Sequence, residues 1–308
     1  MGLRIRTNIS SINAQRRLER ATGAVSNSMQ KLASGKRINK AADDAAGLAI
    51  SENLRADIRS LHQAKRNAND GVSLVQTAEG ALVETTNMLV RLRELAVQSA
   101  SDTIGATERG FLDKEYIALK DEIDRITNST EFNGTRLIVG ASGDVPDEVA
   151  NQEGTFPLEI QVSKDYYKDA DALDERNPVN IIKINLENIN TYTTGEGSLE
   201  IGRAQEGTRV HNKVDAQLSI ETLDTAITKV NDHRAYLGAI QNRLTSTVTN
   251  LGVQVENLSA AKSRIQDTDF ASESSLYTSE SILQQAGTAI LGSANQQSNV
   301  ALSLIQNL

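Results

Sequence analysis

Between Leu223 and Ile265 the chain reads LDTAITKVNDHRAYLGAIQNRLTSTVTNLGVQVENLSAAKSRI. Leu223, Val230, Leu237, Leu244, Leu251, Leu258 and Ile265 stand seven residues apart in it, and Ile227, Ile240, Val248 and Val255 flank that row. An apolar period of seven keeps one helix face dry, so the stretch predicts a coiled-coil-like seam about 65 Å long at ~1.5 Å per residue. The helix carrying it is expected to start near residue 211. A seam of that length needs a partner, and the chain holds one. Leu54, Leu61, Ala68, Val75, Leu82, Leu89 and Ala96 repeat the same spacing, with Ile58, Val72 and Leu92 widening the row. That pattern predicts one helix over 45–99, roughly 80 Å long. Gly71 and Gly80 lie inside it; each costs roughly 1 kcal/mol relative to Ala, so tertiary packing has to hold the helix there.

Between these two long helices the pattern changes. After Gly105, Leu112, Tyr116, Leu119, Ile123 and Ile126 recur at spacings of three and four, which predicts a helix over 107–127. The turn before it is short, so it should run antiparallel to its predecessor. Arg136 to Val139 then reads as a short strand, Leu158, Ile160 and Val162 alternate, Ile182, Ile184 and Leu186 alternate again, and Leu199 and Ile201 suggest a last strand. Residues 141–210 hold fourteen acidic and six basic residues, and such an acidic, turn-rich segment is expected to face water.

Both chain ends are amphipathic. Ile5, Ile9 and Ile12 are followed by Leu18, Ala21, Val25, Met29 and Leu32, while Leu276, Leu283, Ala286, Ile290, Ala301 and Ile305 line one side near the other end, with Leu304 and Leu308 nearby. Residues 1–45 carry nine basic groups against three acidic ones; residues 267–308 carry four acidic groups and no Lys or Arg. Opposite charge favours pairing of the two ends, although each exposed ion pair adds only about 0–1 kcal/mol. An isolated helix of such length is marginal in water. Apolar rows on both termini therefore store an interface that other copies would complete. These patterns together predict a mainly α fold: a long antiparallel, coiled-coil-like helical bundle with paired terminal helices and a small β-rich central segment.

Composition narrows the function. The 308 residues are 39% hydrophobic but only 3% aromatic, with no Trp and three Pro, which suits long helices with thin seams better than a thick core. No Cys is present, which excludes disulfides, thiol nucleophiles and thiolate metal sites. A formal charge of −8 disfavours an extended nucleic-acid interface. No apolar run approaches a membrane span and the N-terminus has no apolar signal region, so export would use a route without a cleaved signal peptide. Walker, dinucleotide, HExxH and calcium-loop motifs are absent, and no catalytic, cofactor-binding or metal residue is assigned. His62, His211 and His233 are scattered, and Asp43 and Asp44 read as turn or capping residues rather than a catalytic pair. Asn8, Asn128 and Asn133 each open an Asn-x-Ser/Thr match.

Several blocks carry a family resemblance: LASGKRINKAADDAAGLAI from Leu32 to Ile50, RNANDG from Arg66, QTAEGAL from Gln76 and RELAVQSA from Arg93. At the far end stand Leu244, Asn250, Leu251, Ser263 to Ile265, Asp267 and Asp269, ILQQAG from Ile282, and Ala294 to Gln296. Over about 1–140 and 210–308 the chain closely resembles bacterial flagellin. The resemblance implies an inner-tube module of 1–45 with 267–308, a helical rod of 46–140 with 210–266, and a short variable segment, 141–209, partly a rod hairpin. It implies inner-tube packing by the terminal residues Ile5, Ile9, Ile12, Val25, Met29, Leu32, Leu276, Leu283, Ala286, Ile290 and Ile305, and a rod seam along the two seven-residue rows. It also implies self-assembly into the flagellar filament for swimming, type III export, and as partners other flagellins, a filament cap, junction proteins and an export chaperone. Arg91, Glu94, Leu95 and Glu115 match positions that contact Toll-like receptor 5 in some flagellins. A hook-filament junction protein of the same export system and a free coiled-coil binding protein in the cytosol remain the alternatives.

Overall fold

The computed structural model describes residues 7–140, 157–165, 180–195, 197–203 and 207–306, the side chains of 297–306 excepted. Five helices and four short strands follow one another: α1 (Ile9–Ser34), α2 (Ala45–Ser99), α3 (Ala106–Ser129), β1 (Glu131–Phe132), β2 (Thr135–Arg136), β3 (Leu158–Gln161), β4 (Ile181–Ile184), α4 (Lys213–Gln266) and α5 (Phe270–Gln306). The chain divides into two compact units, one of Met1–Ile58 with Glu256–Leu308, the other Arg59–Val255.

In the second unit the seven-residue rows are the core. Leu61, Ala68, Val75, Leu82, Leu89 and Ala96 of α2 and Leu223, Val230, Leu237, Leu244 and Leu251 of α4 are all buried. The antiparallel hairpin β3–β4, with Ile160 opposite Ile182, adds Ile160, Ile182 and Ile184 to that core. Gly71 is where the hairpin enters. A Cβ built on Gly71 would lie 2.3 Å from Ile160 Cδ1, so the missing side chain leaves a notch for the isoleucine tip. Asn133 and Gly134, at φ 52° and 78°, turn the small hairpin β1–β2, as an Asn-Gly pair does in a two-residue turn.

Three expectations for the central segment need correction. The strand expected at 136–139 covers only Thr135–Arg136, and Val139 instead makes a single antiparallel bridge to Asn190. Leu199 and Ile201 form no strand, although both are buried. Nor does the whole segment face water, because Ile182, Ile184, Leu186, Ile189, Leu199, Ile201 and Val210 belong to the same core as the long helices. Net charge averaged over seventy positions concealed an apolar set spaced for burial.

What covers that set is a polar stripe on α3. Asp113 accepts hydrogen bonds from Arg209 Nη2 (2.6 Å) and the Val210 N–H (3.2 Å), and the Tyr116 hydroxyl donates to Thr208 Oγ1 at 2.9 Å. Lys120 Nζ donates to the Thr208 carbonyl at 3.1 Å, and Asp124 accepts from the Thr193 N–H and hydroxyl, both at 2.9 Å. Thr127 and Thr191 share a hydrogen bond of 2.8 Å. Burial pushes the Lys120 amine down to about 8 and raises the Asp124 carboxyl above its ordinary range. Each of these buried polar groups is thus tied to 191–193 or 208–210, which holds those two segments on α3 without strand pairing.

In the first unit α1 starts at Asn8, whose side chain accepts from the Ser11 N–H at 3.0 Å, and stops at Gly35, which takes the left-handed φ of 68°. The segments that follow α1 and α4 are stitched together. Arg37 N–H donates to the Gln266 carbonyl at 2.7 Å, Thr268 N–H donates to the Gly35 carbonyl at 3.1 Å, and Lys36 bridges Asp267. Asp43 Oδ2 accepts from the Asn39 and Lys40 N–H groups, and Asp44 Oδ1 accepts from Gly47 N–H, 2.8 Å away, in the first turn of α2. Both aspartates therefore do the turn and capping work expected of them.

Candidate assembly surface

The terminal helices α1 and α5 pack against each other. The main covered row along α1 is Ser11, Ala14, Leu18, Ala21, Val25, Ser28 and Leu32, with Ala24 and Lys31 half-buried beside it; along α5 it is Glu273, Tyr277, Glu280, Gln284, Gly287, Leu291 and Ala294, with Ser274 and Ser281 half-buried beside it. Both sets alternate steps of three and four, the spacing of an antiparallel two-helix seam. Their chemistry is mixed. Gly287 faces Leu18, whose Cδ1 would stand in ordinary van der Waals contact, 3.4 Å from an added Cβ. Asn8 Nδ2 donates to the Ala294 carbonyl at 2.8 Å, Ser11 Oγ donates to Asn295 Oδ1 at 2.7 Å, and Ser28 Oγ donates to Glu280 Oε2 at 3.0 Å. Lys31 and Glu273 form an ion pair at 3.6 Å, the one such pair between the basic and acidic ends among the described residues.

Large apolar side chains are mostly elsewhere. Of the residues expected to pack the terminal module, Val25 and Leu32 are half-buried in the seam, whereas Ile9, Ile12, Met29, Leu276, Leu283, Ala286 and Ile290 are exposed. Ile5 and the Ile305 side chain lie outside the described residues. Phe270 (66% exposed) and Ile282 join the exposed set and were missed by the sequence reading. On α5 the geometry is simple. Leu276, Leu283 and Ile290 each stand four residues before a seam position (Glu280, Gly287, Ala294), so they form a stripe beside the seam rather than in it. A mixed seam, in which Leu18, Val25, Leu32, Tyr277 and Leu291 stand among small and polar residues, holds the two helices together, and the other large apolar residues stay exposed beside it.

Of the other residues singled out, Leu54, Leu258 and Ile265 are half-buried and belong to the first unit. Arg91 is exposed and bonds Glu115 Oε1 through Nη2 at 2.7 Å and Glu94 Oε2 through Nη1 at 3.0 Å. Leu95 does not join them. It is completely buried in the core with Leu92, because it continues the α2 stripe of Leu89 and Leu92, so it is not a surface contact residue.

No group of three or more His, Asp and Glu among the described residues is placed to hold a metal ion, and no described helix is long and apolar enough to cross a membrane. The architecture is shared with a solved structure of a putative flagellar hook-associated protein from Vibrio parahaemolyticus, at TM-score 0.54 and 14% identity over 73% of this chain and 100% of that one, which bears on the fold alone. Flagellin of Bacillus subtilis is 40% identical over 99% of this chain and 100% of its own length, and Flagellin A of Vibrio cholerae is 38% identical over the same shares. The bacterial flagellin N-terminal helical region matches residues 5–142 and the bacterial flagellin C-terminal helical region matches residues 220–305. With both helical regions present in that order and relatives aligned along nearly the full length, this chain belongs to the bacterial flagellin family and shares its structural role.

Proposed function

We propose that this chain is a polymerising subunit of the bacterial flagellar filament, exported and assembled outside the cell for swimming. The observation that carries the reading is the outward apolar set on the paired terminal helices. Ile9, Ile12, Leu276, Leu283 and Ile290 keep 41–60% of their surface exposed in the single chain, and burial by neighbouring copies at roughly 25 cal/mol per Å² supplies a strong contact without any ligand. A head-to-tail contact of this kind does not close, so growth continues indefinitely. In this reading 1–45 with 267–308 forms the inner tube, 46–140 with 210–266 the rod, and 141–209 the short remainder. Other flagellins, a filament cap, junction proteins and an export chaperone are the partners that go with it. Arg91, Glu94 and Glu115, without Leu95, are the candidate contacts for Toll-like receptor 5.

The test is truncation. Chains lacking 1–30 or 280–308 should keep the helicity of α2 and α4 by circular dichroism yet fail to elongate preformed seeds. Normal filaments from either truncated chain would refute the assignment. A hook-filament junction protein shares the paired-end plan, and copy number separates the two: a filament subunit dominates sheared surface material, a junction protein does not.

A further inference from the structure

We infer that Met29 is an oxidation-sensitive assembly residue, whose conversion to the sulfoxide by a peroxide stops the free chain from joining a growing polymer. The inference rests on the proposed function. The sequence holds three methionines. Met1 lies outside the described residues, and Met88 is half-buried against the core of the second unit. Met29 sits on α1 with 59% of its surface exposed. Its neighbours Ser28 and Lys31 are engaged with Glu280 and Glu273 of α5, so α1 is held at this level while Met29 stays exposed. It is the oxidisable member of the outward apolar set; the other exposed members are Ile, Leu and Phe.

The chemistry balances with one co-reactant. A sulfur lone pair attacks one oxygen of hydrogen peroxide, the O–O bond breaks, an S–O bond forms, and the departing hydroxide takes up the remaining proton as water. The thioether is oxidised by two electrons and the peroxide is reduced by two. The product replaces a flexible apolar side chain with a polar one. If a second copy covers position 29, the sulfoxide oxygen is buried without a donor, which weakens the contact on the order of tenfold or more. Once covered, the thioether is out of reach of the oxidant. The free chain is therefore the vulnerable form.

The experiment treats the dilute full-length chain with hydrogen peroxide, removes the oxidant with catalase, maps sulfoxides by peptide mass spectrometry and follows elongation on untreated seeds by light scattering. Met29 should oxidise several-fold faster than Met88, and the treated chain should elongate about tenfold slower than the untreated one. Methionine sulfoxide reductase should restore the rate. For Met29→Leu the ratio of treated to untreated rate, each measured on the variant itself, should stay near one. In preformed filaments Met29 should resist the same dose. Undiminished elongation by chain fully oxidised at Met29, or an equal loss in Met29→Leu, would overturn the inference while leaving the filament reading intact. Failure of the untreated chain to elongate at all would overturn that reading and this inference with it.

Discussion

Replacing Leu283 by Ser should damage assembly while leaving the folded chain almost untouched. Leu283 keeps 60% of its surface in contact with water in the single chain. Fully burying a leucine is worth roughly 1.5–3 kcal/mol, so cover by a neighbouring copy would add about 1–2 kcal/mol beyond what the chain already gains. Losing that amount raises the critical concentration for elongation by about 5- to 30-fold. The cost to folding should stay within about 0.5 kcal/mol, as for exposed substitutions in general. Leu244→Ala provides the contrast: Leu244 is fully buried in the second unit, and its truncation should cost about 2–5 kcal/mol of stability. The assay pairs urea unfolding of the monomer with the critical concentration read from seeded growth. A Leu283→Ser chain that elongates at the wild-type critical concentration, or that unfolds several kcal/mol earlier, would refute the assignment of this side chain to an interface between copies.

Other perturbations follow from the same structure. Gly71→Ala gains roughly 1 kcal/mol of helix propensity but drives its Cβ against Ile160 Cδ1; Ile160→Val removes that tip, so a double-mutant cycle in urea should show favourable coupling of about 0.5–1 kcal/mol, and strict additivity would contradict the notch. Gly80 has nothing within 4 Å of an added Cβ, so Gly80→Ala should stabilise the monomer by about 1 kcal/mol, and a destabilised variant would reveal a contact unaccounted for. Lys120 is held near 8 by burial against an ordinary 10.5. Between those values the unfolded chain keeps a proton that the folded chain has released, so wild-type stability should rise with pH across that window relative to Lys120→Met. Parallel urea midpoints for the two proteins at pH 7.5 and 10 would sink that account.

How much was legible in the sequence depended on the kind of contact involved. The rows at Leu61 to Ala96 and Leu223 to Leu251 were readable because helix on helix burial repeats every seven residues, and large aliphatic side chains mark each repeat. The α1–α5 seam was legible only in part: Leu18, Ala21, Val25 and Leu32 mark its α1 side, but Ser11, Ser28, Glu273, Gln284 and Gly287 occupy positions of the same period with residues that no hydropathy pattern marks. What the pattern marked on α5 was the outward stripe. The helical signal was true, but it said nothing of which partner the face would meet. The packing of 191–193 and 208–210 on α3 was missed for a related reason: it runs through Asp113, Lys120, Asp124 and Thr127, charged and polar residues that read as a solvated face until the structure shows them buried. Leu95 was misplaced as a surface residue because a motif was carried over as a block, although the stripe through Leu89 and Leu92 already pointed it inward.

Hydroxyl-radical footprinting of Leu276, Leu283 and Ile290, in the monomer and again in the polymer grown from it, asks most directly whether other copies cover the terminal helices. All three should react readily in the monomer and lose most of that reactivity in the polymer, while buried Leu223 stays unreactive in both. Unchanged labelling of the three residues after growth would mean that the apolar stripe on α5 is not what joins one copy to the next.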